Sequence, residues 1–273
     1  MPLAEIRGIQ ICFERGGQGP PVLLISGTGG DLRHKPSVFS GALPEHFELL
    51  AYDQRGLGRS GKPDGPYTMA DYADDAAALL DHVGWTQCGV VGISFGGMVA
   101  QELALRHPDR VGRLALVCTS SGGEGGASYP LHDLEKLTPE QRALRSLEIS
   151  DLRYDAQWRR ENPEPLKKIL ETMARRRLPD ADHPEALQGA EQQLVARRSH
   201  DTWSRLPEIR CPTLVCGGRY DGIAPPANQH ALADRIQGAA LQFFEGGHLF
   251  LLQDAKAWPA IIRFLSPGEE ESD

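Results

Sequence analysis

The sequence predicts an α/β fold: a mostly parallel sheet flanked by helices, with a helical segment inserted after the sixth strand. Three observations carry this expectation. Short continuous apolar runs recur at Val22 to Ile25, Phe47 to Tyr52, Cys88 to Ile93, Val111 to Cys118, Pro212 to Cys216 and Ala240 to Phe244, as strands buried on both faces require. Stretches with helical spacing, notably Met69 to Val83 and Met98 to His107, separate several of them. From about Gly122 until Pro212 the pattern changes to a glycine-rich linker and then polar, helix-like stretches with many Arg, Glu and Pro.

Along the chain, Ala4 to Glu14 alternates weakly around Gly8 and reads as an N-terminal hairpin at the sheet's edge. Gly16, Gly17, Gly19, Pro20 and Pro21 break it before the first buried strand, which ends in the glycine-rich loop Ser26-Gly27-Thr28-Gly29-Gly30. The strand Phe47 to Tyr52 runs into Asp53-Gln54-Arg55-Gly56-Leu57-Gly58-Arg59-Ser60. Thr68 is the expected N-cap of the helix Met69 to Val83, with Asp71 favoured at its positive end; Asp71, Asp74, Asp75 and Asp81 read as a solvated helix face. Pro108 stops the helix that ends at His107.

Size and charge bound the rest. A chain of 273 residues suits one large α/β domain with an insertion. The division expected is 1–122 and 207–266 for the two parts of the core, 123–206 for the inserted helices, and 267–273 for a frayed acidic tail. A net charge of −8 argues against nucleic-acid or anionic-membrane partners. Cys12, Cys88, Cys118, Cys211 and Cys216 lie in or beside apolar runs without metal-type spacing, so buried reduced thiols are expected. With no leader-like N-terminus and no long apolar stretch, a cytoplasmic protein is expected. Monomer and homodimer are both compatible with the composition.

Chemistry concentrates at Gly92-Ile93-Ser94-Phe95-Gly96-Gly97, a GxSxG stretch joining a strand to a helix. So tight a reversal strains the central residue and crowds its neighbours, which Gly92 and Gly96 relieve. The turn lifts the Ser94 hydroxyl above the sheet and aims helical N–H groups at developing negative charge. A serine nucleophile needs a base, and the base needs an orienting acid. Asp221 follows the run Pro212 to Cys216 in Gly217-Gly218-Arg219-Tyr220-Asp221, and His248 follows Ala240 to Phe244 in Glu245-Gly246-Gly247-His248. Glu124, after the preceding strand, is the rival acid.

The order Ser, Asp, His and these settings resemble the α/β-hydrolase superfamily from about Val22 to Leu265. The resemblance implies catalysis by Ser94, His248 and Asp221, and an oxyanion hole from the N–H of Phe95 with that of Thr28 or Gly29. It implies no cofactor and no metal. Many members place histidine where this chain has Ser26, which bears on the geometry of the loop. Residues Asp53 to Ser60 resemble a family signature whose Asp and Arg brace loops, so Asp53 and Arg55 stand outside the catalytic set. The insertion resembles the family's helical cap, in which Tyr129, Tyr154, Trp158 and Trp203 are candidates for a pocket roof, with ordinary helix packing as the alternative. Arg33-His34-Lys35 hints at a substrate carboxylate. Arg175-Arg176-Arg177, Arg197 and Arg198 read as solvated surface that an acidic substrate could also use.

Tyr52 to Ser60, Gly65-Pro66-Tyr67-Thr68, Gly96-Gly97-Met98 and Gly30-Asp31-Leu32 are similar to the 3-oxoadipate enol-lactonase branch. The activity implied is hydrolysis of a small carboxylic ester or lactone. A carbon–carbon bond hydrolase of ring-fission products, a perhydrolase or acyltransferase, and a non-catalytic receptor are the alternatives. Serine at this position sets the chain apart from relatives of this fold that use aspartate on haloalkanes and epoxides.

Overall fold

A computed structural model describes residues 1–175, 178, 180 and 183–266. Among these, eight strands form one sheet: β1 (Leu3–Ile6), β2 (Ile9–Gly16), β3 (Pro21–Ile25), β4 (Glu48–Tyr52), β5 (Cys88–Ile93), β6 (Val111–Val117), β7 (Thr213–Gly218) and β8 (Ala240–Phe244). Their order is β1-β2-β4-β3-β5-β6-β7-β8. The hairpin of β1 and β2 joins β4 antiparallel, and every pairing beyond β4 is parallel.

Alternation along the strands builds two cores. In β3, Leu23 and Ile25 face the cluster containing Ala73 and Leu79 of α1 (Met69–His82), Val99 and Leu103 of α2 (Phe95–Arg106) and Leu232 of a later helix. Val22 and Leu24 face the opposite cluster, with Phe47 and two C-terminal helices. Both faces of the central strands are therefore covered, which accounts for the unbroken apolar runs.

After β6 the chain leaves the sheet for α3 (Pro139–Ser150), α4 (Ala156–Glu161), α5 (Pro163–Arg175) and α6 (Pro184–Arg198), and it returns at β7. α7 (Pro226–Arg235), which carries Leu232, lies on the first face; α8 (Phe250–Gln253) and α9 (Ala257–Leu265) supply Phe250 and Ile261 to the second. The inserted α6 reaches the core loops closely: a Cβ on Gly189 would collide with the backbone of Gly56.

Two expectations need correction. Asp75 is 1% exposed and meets Arg55 in a two-pronged pair at 2.6 and 2.8 Å, with Arg7 at 2.9 Å, so the α1 carboxylates are not all on a solvated face. Two cations from elsewhere in the chain make that burial tolerable. Arg197 is 7% exposed and tucked beneath the loop that follows β6, whereas Arg198 is exposed. Arg175 lies 3.7 Å from Glu171; Arg176, Arg177 and the tail 267–273 lie outside the described residues.

Candidate active site

Ser94 stands at the end of β5 with φ 55° and ψ −115°, a strained conformation for a residue with a side chain. Two hydrogen bonds, to the last residue of β6 and to the segment after it, hold it there. Its N–H donates to the Val117 carbonyl at 2.8 Å, and its own carbonyl accepts from the Thr119 hydroxyl at 2.7 Å. A Cβ on Gly96 would overlap the Ile25 and Ser26 carbonyls, and one on Gly92 would sit 2.5 Å from the Gly96 carbonyl. Only glycine lets the turn close against the sheet.

The loops after β7 and β8 bring Asp221 and His248 to this serine. Asp221 is fully buried; Oδ1 accepts from the N–H groups of Ile223 and Ala224 at 2.8 and 2.9 Å, and Oδ2 lies 2.8 Å from His248 Nδ1. His248 Nε2 is 3.0 Å from Ser94 Oγ. An ionised carboxylate only accepts, so the neutral imidazole carries its proton on Nδ1 and leaves Nε2 to accept from the serine hydroxyl. Glu124 is exposed and accepts from Trp203 Nε1 at 3.2 Å, away from this chain of bonds.

The end of α3 ties both loops together. The His248 N–H donates to the Ser150 carbonyl at 2.6 Å and the Gly222 N–H to the Ile149 carbonyl at 3.0 Å. Gln253 accepts from the Gly247 N–H at 2.9 Å and donates to Asp151 at 3.0 Å. Burial pushes the Asp151 carboxyl up, but bonds from the Arg153 side chain and backbone hold it below the usual range. The braces from the end of α3 to Gly222, His248 and Gln253 have no readable signal in the sequence, because they join segments far apart in the chain.

The glycine-rich loop lies beside the serine: a Cβ on Gly27 would be 4.0 Å from Ser94 Oγ. With Ser26 in place of histidine, Gln54 braces the loop by donating to the Ser26 carbonyl at 2.8 Å. Asp53 accepts from the N–H groups of Leu32 and Arg59 at 2.7 and 2.9 Å; burial pushes its carboxyl up despite these bonds. The Gly29 N–H is engaged by Oε1 of Gln193, from α6, at 2.9 Å. Among the described residues, the N–H groups of Thr28 and Phe95 donate to no protein acceptor.

Other candidate residues have protein partners of their own. Arg33 is paired with Asp31 and Asp180, each at 2.7 Å. Tyr154 and Trp158 pack edge to face with centroids 4.7 Å apart. Tyr129 lies under Arg145, and Trp203 under Arg235. Cys118 Sγ falls within 4.8 Å of ligand atoms of Asp221 and His248, a metal-type grouping. Two of those groups are committed to each other, however. Burial, reinforced by Asp221, pushes the Cys118 thiol up, which keeps it protonated and a poor ligand.

A mostly parallel sheet with a serine at a strand-to-helix turn, backed by histidine and aspartate from the loops after later strands, defines the α/β hydrolase architecture. The chain belongs to the alpha/beta hydrolase fold family, which matches residues 20–255. It is similar to a poly(3-hydroxyalkanoate) depolymerase of Ectopseudomonas oleovorans, 30% identical over 92% of this chain and 86% of the relative. It is also similar to a 2-hydroxymuconate semialdehyde hydrolase of Pseudomonas putida, 31% identical over 93% of this chain and 89% of the relative. The enol-lactonase from Burkholderia xenovorans LB400 superimposes with a TM-score of 0.77, at 26% identity, covering 97% of this chain and all of that one. Hydrolytic chemistry is common ground among these relatives. Among the described residues no helix is long and apolar enough to cross a membrane.

Proposed function

We propose that the protein is a serine hydrolase that cleaves a small carboxylic ester or lactone through an acyl-enzyme. The observation that carries this is the unbroken run from Asp221 to His248 to Ser94, at 2.8 and 3.0 Å, beside unengaged N–H groups at Phe95 and Thr28. His248 takes the Ser94 proton as Oγ bonds to the acyl carbon, and the carbonyl pair moves onto oxygen. Phe95 and Thr28 hold that oxyanion; Gly29 is the weaker candidate because Gln193 occupies its N–H. Collapse expels the alkoxide, which takes the proton from His248. Water then repeats the sequence on the acyl-enzyme and releases the acid.

In this reading residues 123–206 cap the site, and no cofactor enters the cycle. The similarity to an enol-lactonase favours the lactone side. Five free thiols suit the cytoplasm. A second reading, carbon–carbon hydrolysis of a ring-fission product on the same three residues, draws support from the semialdehyde hydrolase relative.

The test is turnover of short-chain p-nitrophenyl esters, an enol-lactone and a ring-fission dienone by wild type and Ser94→Ala. Ester or lactone turnover that falls by at least about ten-thousandfold in the variant is expected. Preference for the dienone would install the second reading, and full activity in Ser94→Ala would remove the mechanism.

A further inference from the structure

A cavity of about 100 Å³ opens on the flank of the nucleophile turn, lined by Met98, Ser120, Ser128, His132, Arg197 and His200, with Arg198 at its exposed side. No carboxylate lines it. Arg197 gives one hydrogen bond from Nη1 to the Tyr129 carbonyl at 2.8 Å and one from Nη2 to the Ser128 hydroxyl at 2.7 Å. Three of its five N–H groups are left over, Nε among them without any acceptor. Among the described residues no Asp or Glu offsets its charge, and burial alone pushes the guanidinium down to about 10.

By contrast Arg55, the other buried arginine among the described residues, meets Asp75. A guanidinium removed from water without a counter-charge is costly, and a bound anion is what removes the cost. His200, pushed down to about 4 by burial, is neutral near pH 7 and adds no charge. Its Nε2 donates to the Ser120 carbonyl at 3.2 Å. The lasting positive charge at this cavity is therefore Arg197, with Arg198 outside to attract an anion. Met98 supplies an apolar wall, and the volume suits a carboxylate on a short carbon chain.

We propose that this cavity is a binding site for a small carboxylate, clamped by Arg197. The carboxylate is either the acid end of a substrate reaching past Ser94 or a free short-chain acid. The cavity adjoins the serine turn through Met98, one helical turn beyond Ser94, and through Ser120, next to the Thr119 that holds the Ser94 carbonyl. The site does not depend on the reaction assigned to Ser94.

Binding is read in the Ser94→Ala protein, where chemistry cannot interfere, by titrating sodium acetate and sodium succinate at constant ionic strength and following Tm. A saturable rise is expected, abolished by Arg197→Met and shifted about tenfold toward higher concentration by Arg198→Glu. Arg198 is exposed, so its variant keeps the fold even if Arg197→Met proves unstable. The two sources separate in otherwise wild-type enzyme. With an acid-bearing substrate, Arg197→Met lowers kcat/KM about tenfold more for a half-ester of succinate than for the matching neutral ester; with a free acid, the two esters respond alike. No saturable Tm shift, or one that survives both arginine variants, overturns the assignment.

Discussion

At Asp221 the physical question is what the buried carboxylate does beyond holding a ring in place. Two backbone N–H groups fix Oδ1, so Oδ2 is committed to His248 and cannot swing away. Asp221→Asn keeps the size but can present an N–H to Nδ1, which would reverse the imidazole tautomer and leave Nε2 unable to accept from Ser94. We expect kcat to fall by about ten-thousandfold with Tm changed far less. Steady-state assays beside thermal melts check this, and an asparagine variant within tenfold of wild type would exclude the proposed role. Ser94, Asp221 and His248 were selectable from sequence because each follows an apolar strand in a turn rich in glycine. Gln193 carries no such mark, since a glutamine in a polar helix looks like any solvated residue until α6 is seen against the glycine-rich loop. Gln193→Leu leaves the Gly29 N–H without its acceptor, and the loop carrying Thr28 loosens. A drop in kcat of about tenfold with little change in KM is expected. A rise in kcat instead would make Gly29 the oxyanion donor that Gln193 holds back.

Among the elements, α1 separates what local sequence can specify from what it cannot. The Thr68 hydroxyl accepts from the Asp71 N–H at 3.1 Å while Asp71 returns to the Thr68 N–H at 3.1 Å, a cap contained within four residues and readable there. The fate of Asp75, next to Asp74 in the chain, depends on Arg55 and Arg7, which are 20 and 68 positions away. Spacing along a helix gives a face, but whether that face meets water or a buried cation is a tertiary fact. The same reason hid Arg197, whose burial comes from a loop 68 positions upstream. Asp75→Asn would leave Arg55 only 10% exposed with its main counter-charge gone. A loss of about 3 kcal/mol is expected by urea unfolding. A loss under about 1 kcal/mol would mean that Asp71, at 3.8 Å, is a sufficient partner for Arg55.

Over the whole molecule, the buried strands and the covered faces of the sheet follow from the apolar runs, whereas stability against acid depends on groups that those runs do not show. His200 is the clearest of them. It lies buried between the loop after β6 and the end of α6, and burial pushes its pKa down from 6.5 to about 4. Between those two values the unfolded chain holds a proton on this ring that the folded chain does not, so the unfolded state binds more protons and stability rises with pH across the window. The stabilisation is complete above about pH 6.5 and is lost as pH falls toward 4, for a total of about 3 kcal/mol from this one group. His200→Gln replaces the ring with an amide that can still donate to the Ser120 carbonyl yet does not titrate. Urea unfolding of both proteins at intervals from pH 7.5 to about 4.5 isolates the effect, because every other ionisable group is shared. The wild type should lose stability relative to the variant as pH falls, with the two curves running parallel above about pH 7. Parallel curves throughout would mean that acid enters this region of the folded protein freely and that His200 titrates there as it does in water.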